Sequence, residues 1–221
     1  MKFELTIPTE LSDIKLSQYL KFLKTTKDVE DEYFIGKQMI SIFCNVPDEL
    51  VNKIRAKDFN SIIEAITEVL QQKPKFKPTF KMGGVEYGFI PNLDEITLGE
   101  KVDLDEYFKE VKTMDKAMNV LYRPITLKRS NGYLIEDYKA NGEGLDTPLD
   151  VALGAIVFFS NLISDLLNYT QSYIKSEVAA NPKVSQTLEK NGVGTQAFTN
   201  SLEEIFSNLM MWQNYHSTKH Y

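Results

Sequence analysis

Lys75-Phe76-Lys77-Pro78-Thr79-Phe80-Lys81-Met82-Gly83-Gly84-Val85-Glu86-Tyr87-Gly88-Phe89-Ile90-Pro91 is the stretch that decides the fold class. Polar residues alternate with aromatic or aliphatic ones on both sides of Gly83-Gly84, a two-residue signal for a tight β-hairpin. A second signal, Ser130-Asn131-Gly132, lies between Ile125–Lys128 and Tyr133–Glu136 and predicts a second hairpin. Arg123-Pro124 is expected to stop the element before it, since the residue preceding a proline avoids helical geometry.

Working outward, the pattern on the N-terminal side is helical. Leu16, Tyr19, Leu20 and Leu23 recur at helical spacing, with Ser17 or Asp13 as candidate caps. A second helix is expected from near Asp28 through Tyr33, Phe34, Met39 and Ile40 to Cys44, its acidic start suiting the positive end of the helix dipole. Pro47-Asp48-Glu49 opens a further short helix. Phe59, Ile62, Ile63, Ile66, Val69 and Leu70 then mark one capped by Asp58. Ahead of all these, Phe3, Leu5 and Ile7 alternate with polar residues, which predicts a short strand ended by Pro8.

On the C-terminal side, Leu104, Tyr107, Phe108 and Val111 indicate a short helix, and Lys139–Thr147 a polar loop. Thr147-Pro148-Leu149-Asp150 opens the longest helix, which runs to Asn181-Pro182. A last helix is expected from Thr195 or Thr199 to Gln213. The expected class is α+β, mainly α-helical at both ends with a small antiparallel β-hairpin region in the middle. Residues 1–146 form the mixed region, and 147–221 a C-terminal helical region that can pack on it as one domain. One echo stands out: Ile7-Pro8-x-x-Leu11-x-Asp13-Ile14-x-Leu16 resembles Ile90-Pro91-x-Leu93-Asp94-x-Ile96-x-Leu98. It reads as two strand-to-helix junctions built alike, not as a duplication.

Composition narrows the function classes. A net charge of −6 and a pI of about 5.1 leave no basic face with which to neutralise phosphates. Lys73, Lys75, Lys77 and Lys81, interleaved with Phe76 and Phe80, would suit either a stacking ribbon for single strands or a half-exposed strand. The acidic balance favours the strand, so no specific nucleic-acid binding is expected. Cys44 is the only cysteine and lies in the apolar run Ile40–Cys44, which fits a buried thiol in a reducing compartment. Leu149–Leu167 is apolar but interrupted by Asp150, Asn161 and Asp165, so a buried helix is expected rather than a membrane span.

No motif supplies a reactive centre. His216 and His220 are four apart but lack a third ligand, so no metal is expected. The acidic clusters Asp28–Glu32, Asp94-Glu95 and Asp103–Glu106 match no calcium loop, and neither Gly192-Val193-Gly194 nor Gly142-Glu143-Gly144 makes a dinucleotide loop. The expectation is a protein without catalysis or cofactor that works by contact with other chains. Two surfaces are candidates. One is the hairpin, through Phe76, Phe80, Tyr87 and Phe89, whose edge can pair with a neighbour's strand. The other is the tail, through Met210, Met211, Trp212 and Tyr215, residue types that suit a docking anchor. Packing of each on its own domain is the alternative.

Several segments also resemble a family. Ile7-Pro8 with Asp13-Ile14-x-Leu16-x-Gln18-Tyr19, Tyr87-Gly88-Phe89-Ile90-Pro91, Ile96-Thr97-Leu98-Gly99-Glu100 and Ala117-Met118-Asn119-Val120-Leu121-Tyr122-Arg123-Pro124-Ile125 resemble small structural and assembly proteins of tailed bacteriophages, crAss-like phages included. The resemblance thins after Tyr138. It implies a virion protein made in the host cytoplasm, a ring-forming adaptor of the head–tail connector or tail whose partners are portal, tail or neighbouring ring proteins. The acidic charge would then suit an inner surface past which DNA slides. The other role it implies is a tail-assembly chaperone that binds the tape-measure protein and is absent from the virion.

Overall fold

The computed structural model describes residues 5–140 and 142–180. Four helices come first: α1 (Leu16–Thr25), α2 (Glu32–Phe43), α3 (Asp48–Val51) and α4 (Ala56–Leu70). Strands β1 (Thr79–Met82) and β2 (Val85–Phe89) follow, then α5 (Leu98–Tyr107) and α6 (Met114–Leu121). Strands β3 (Tyr122–Arg129) and β4 (Gly132–Ile135) complete the sheet, and α7 (Leu149–Ala180) closes the described chain. The sheet has the order β1-β2-β3-β4 with antiparallel neighbours, an α+β arrangement with the sheet in the middle.

Both hairpins form where the turn residues place them. Met82 pairs with Val85 across Gly83-Gly84, whose φ values of 57° and 80° belong to the left-handed region that two-residue hairpin loops require. Arg129 pairs with Gly132 across Ser130-Asn131. The helix before Arg123-Pro124 does end there, α6 stopping at Leu121, but the pair does not interrupt the chain's next element, because β3 starts at Tyr122 and runs straight through the proline. A proline contributes no N–H to a ladder and is tolerated beside an irregularity, here the β-bulge between Ile125 and Leu127.

Helix starts differ from expectation in instructive ways. Asp31, not Asp28, caps α2 by accepting from the Phe34 N–H at 3.1 Å, while Asp28 turns the chain with φ 56°. Helix α4 begins at Ala56, which leaves Asp58 inside its first turn. The expected N-terminal strand is absent from the described residues, where 5–9 are irregular; the last helix at 195–213 lies outside them.

The echo in the sequence corresponds to a shared local structure. Leu11–Asp13 and Leu93–Glu95 are each a single 3-10 turn, followed by an extended isoleucine, Ile14 or Ile96, and one more extended residue. A helix then starts on leucine, Leu16 or Leu98. In both, the third helical residue reaches back to the N-cap amide: Gln18 Oε1 accepts from Lys15 N at 2.9 Å, and Glu100 Oε2 from Thr97 N at 2.7 Å. Among the described residues only the second follows a strand.

Residues from Leu11 to Ile163 share one hydrophobic core, so the first turns of α7 pack in the same interior as the helices and sheet before them. The helix passes so close to the segment entering β1 that a Cβ at Gly154 would lie 2.4 Å from the Lys75 carbonyl oxygen. Two backbone hydrogen bonds fasten α7 to α1: Leu16 N donates to Thr147 O at 2.9 Å, and Leu149 N to Ile14 O at 2.8 Å.

Candidate functional site

The register of the sheet sorts its side chains onto two faces. Phe80 opposes Tyr87, Tyr87 opposes Pro124 and Phe89 opposes Tyr122, so these rings share one face. Phe80 stacks on Tyr87 at 5.3 Å and meets Tyr122 edge-on at 5.3 Å. Phe89 is edge-on to both Tyr122 and Phe76, and Phe76 stacks on Phe158 of α7 at 4.4 Å. The Tyr122 hydroxyl donates to the Lys77 carbonyl at 2.8 Å, so the ring's one polar atom is satisfied.

This cluster corrects part of the expected contact surface. Phe80 and Phe89 are 9% and 4% exposed and belong to the core, while Phe76 and Tyr87 are half-buried against it. The rings alternate with polar residues because the inner half of this face is covered by α7, not because it awaits a partner. Met210, Met211, Trp212 and Tyr215, with His216 and His220, lie outside the described residues.

The exposed apolar surface of the sheet lies further out on the same face. Val85 is 41% exposed, Leu127 49% and Leu134 42%, and Leu127 directly opposes Leu134. Strict alternation from Ile125 would put Leu127 on the opposite face. The extra residue, Thr126, shifts the register and turns Leu127 onto the face that carries Val85. A bulge leaves little trace in a sequence, so these residues were not among those singled out. Arg129 stands exposed on the same face at the tip of the second hairpin, whereas Lys81 and Lys128 belong to the opposite face, where Lys128 pairs with Glu86 at 2.8 Å.

The opposite face is held by polar contacts. The Tyr133 ring lies across β2 at Gly88, and its hydroxyl sits 2.9 Å from the Phe89 carbonyl and 3.0 Å from that of Pro78. At the base of the sheet, Arg123 Nη2 reaches Glu100 Oε1 at 2.6 Å, with both side chains nearly buried. Burial works against the charge on Glu100, but hydrogen bonds from Thr97 and the Arg123 guanidinium outweigh it and hold the carboxyl below its usual range. Tyr138 donates to Asp103 and lies near Arg123, which pins the chain leaving β4 to α5. Burial, together with Asp103, raises the Tyr138 phenol well above its usual value. These contacts tie the sheet to α5, while the Nε of Arg123 is buried without a hydrogen-bond partner among the described residues.

A cleft of about 440 Å³ opens where the sheet meets α7, lined by Phe76, Pro78, Pro91, Tyr133, Phe158 and Leu162 among others. A smaller groove lies between α2 and α4, where Tyr33 leans on Phe59 at 5.5 Å. Cys44 is buried, and burial pushes its thiol up to about 11. Among the described residues no group of three or more His, Cys, Asp or Glu is placed to hold a metal ion, and no helix is long and apolar enough to cross a membrane. The chain matches no family model, no curated protein and no solved structure.

Proposed function

We propose that the chain is a structural component of a tailed-phage head–tail connector or tail, a ring-forming adaptor that works by protein–protein contact. The observation that carries this reading is the exposed apolar strip of Val85, Leu127 and Leu134 on the outer half of the sheet. Aliphatic side chains opposed across two strands and left to solvent are what a contact surface needs. The resemblance to phage structural proteins supports the same reading. Its segments fall on the framework that presents this strip: the exit from β2, the cap of α5, and the α6–β3 junction, where Met118, Val120, Leu121 and Tyr122 are fully buried. As an adaptor the protein needs neither catalytic group nor cofactor, and its place is the virion.

The second reading, a tail-assembly chaperone for the tape-measure protein, draws on the aromatic cleft between the sheet and α7. An amphipathic helix could lay its apolar face there. Quantitative mass spectrometry of purified particles separates the two. A copy number near one per portal subunit is expected for the adaptor. Absence from particles with abundance in infected cells would overturn it in favour of the chaperone.

A further inference from the structure

Helix α7 outruns the core. Among the described residues Ile163 is its last buried apolar side chain, yet the helix continues to Ala180, about 25 Å further on. Leu162 and Tyr169, two helical turns apart and so on one side of α7, are 43% and 70% exposed. Phe158 shares that side one turn earlier, and with Leu162 it forms the α7 wall of the 440 Å³ cleft, opposite Phe76, Pro91 and Tyr133. An apolar stripe therefore starts inside the cleft and runs out along the helix past the end of the core. Asp165, exposed at the edge of this stripe, keeps its carboxylate in water.

The sequence beyond α7 carries a matching stripe. Phe198, Leu202, Ile205, Leu209 and Trp212 recur at alternating steps of four and three, which places them on one side of a helix and leaves Glu203 and Glu204 off it. Alternating steps of this kind are the spacing by which packed helices interlock. Asn181-Pro182 follows the end of α7, where a proline favours a change of direction. The stretch 181–197 spans at most about 60 Å when extended, and a helix over 198–212 is about 21 Å long. That is enough chain for the stripe to come back along α7 as far as the cleft.

We infer that segment 198–212 of the same chain folds back antiparallel along α7 and covers this stripe, with Leu209 and Trp212 filling the cleft and Ile205 lying over Tyr169. Attachment through 181–197 holds the segment near its site at an effective concentration on the order of millimolar, which favours it over a separate chain. An outside helix would then enter the cleft only by displacing this one. The inference stands apart from the adaptor reading, which particle mass spectrometry tests.

Trp212 is the only tryptophan, so the intrinsic fluorescence of the full chain reports on the segment directly. At concentrations where sedimentation velocity shows a monomer, its emission is expected at shorter wavelength than in urea and shielded from acrylamide. Leu162→Asp should shift the emission to longer wavelength and raise quenching several-fold. Tyr169→Asp, at a still more exposed position, should act in the same direction and serves if the first variant does not fold. Leu127→Asp, away from the cleft, should leave the emission unchanged. In a Leu162→Cys, Trp212→Cys double variant, oxidation should form a disulfide within one chain, detected by peptide mass spectrometry. A full-chain emission equal to that in urea overturns the inference, and so does a buried Trp212 indifferent to both stripe variants. A disulfide found only between two chains gives the cleft to a second copy and overturns it as well.

Discussion

The backbone N–H of Ser17 donates to Asp146 Oδ1 at 2.8 Å, and the Ser17 hydroxyl donates to Asp146 Oδ2 at 3.0 Å, across 129 residues of sequence. The open amides at the start of α1 are thus met by an aspartate from the strap that leads into α7, next to the two backbone bonds joining those helices. A cap that is normally local has become a tertiary tie.

Asp146→Ala should therefore lower stability by about 1 kcal/mol, the usual cost of losing a helix cap. Its pairing with Lys15, at 4.0 Å and well exposed, adds little. Urea denaturation measures the loss. Ser17→Ala, which keeps the amide, should cost less than the aspartate variant; equal or larger loss would mean that the hydroxyl, not the amide, carries the tie.

Acid should weaken the fold through Glu100. Its folded-state pKa lies below the unfolded value of about 4.3. The stabilisation is thus fully present above the unfolded value and is lost as pH falls through the lower folded one. Glu100→Gln should be less stable than the parent at pH 7 and lose less on acidification, so the two stability curves converge at low pH. Parallel curves across that range would show that Glu100 titrates normally.

Gly154→Ala should destabilise the protein, although alanine in a helix interior is ordinarily favoured over glycine by about 1 kcal/mol. The added methyl would meet the Lys75 carbonyl oxygen at 2.4 Å, and relieving an overpacked contact of this kind costs about 1–3 kcal/mol. A rise in thermal midpoint would mean that α7 and the 75–76 segment can separate freely.

Phe89→Ala should cost about 3–5 kcal/mol, because the ring is buried among Phe76, Tyr122 and Phe158. Leu127→Ser should stay within about 0.5 kcal/mol of the parent, as substitutions at solvent-facing positions do. The pair of denaturation curves distinguishes core from surface along one sheet face. A large loss for Leu127→Ser would place that side chain in the fold instead of on its outside.

Much of this architecture was legible from residue order. Gly83-Gly84 and Ser130-Asn131-Gly132 predicted both hairpins, and the rare positive φ falls on glycine in each, on Gly83 and Gly84 in the first and on Gly132 in the second. Leu16 through Leu23 and Phe59 through Leu70 announced α1 and α4 because an apolar stripe at helical spacing has one economical arrangement. The weak likeness between the stretches after Ile7 and Ile90 reflected a true local motif, since a 3-10 turn, an extended isoleucine and a capped helix are all short-range events. The aromatic residues of the hairpin were the misleading signal. Alternation shows that a strand has two faces, but not which of them the rest of the chain will cover.

Local order thus determined the α+β class, both hairpin turns, the helical N-terminal region and the buried thiol, because turn geometry, helical periodicity and apolar clustering act over a few residues. Only the tertiary structure decided that Phe80 and Phe89 are core, that Leu127 faces outward with Val85 and Leu134, that Asp146 caps α1, and that Gly154 lets α7 lie against Lys75. Each of those depends on where a distant segment packs or on a one-residue bulge that reverses a strand's facing. Burial and contact are properties of pairs of segments, and a linear pattern records only one member of each pair.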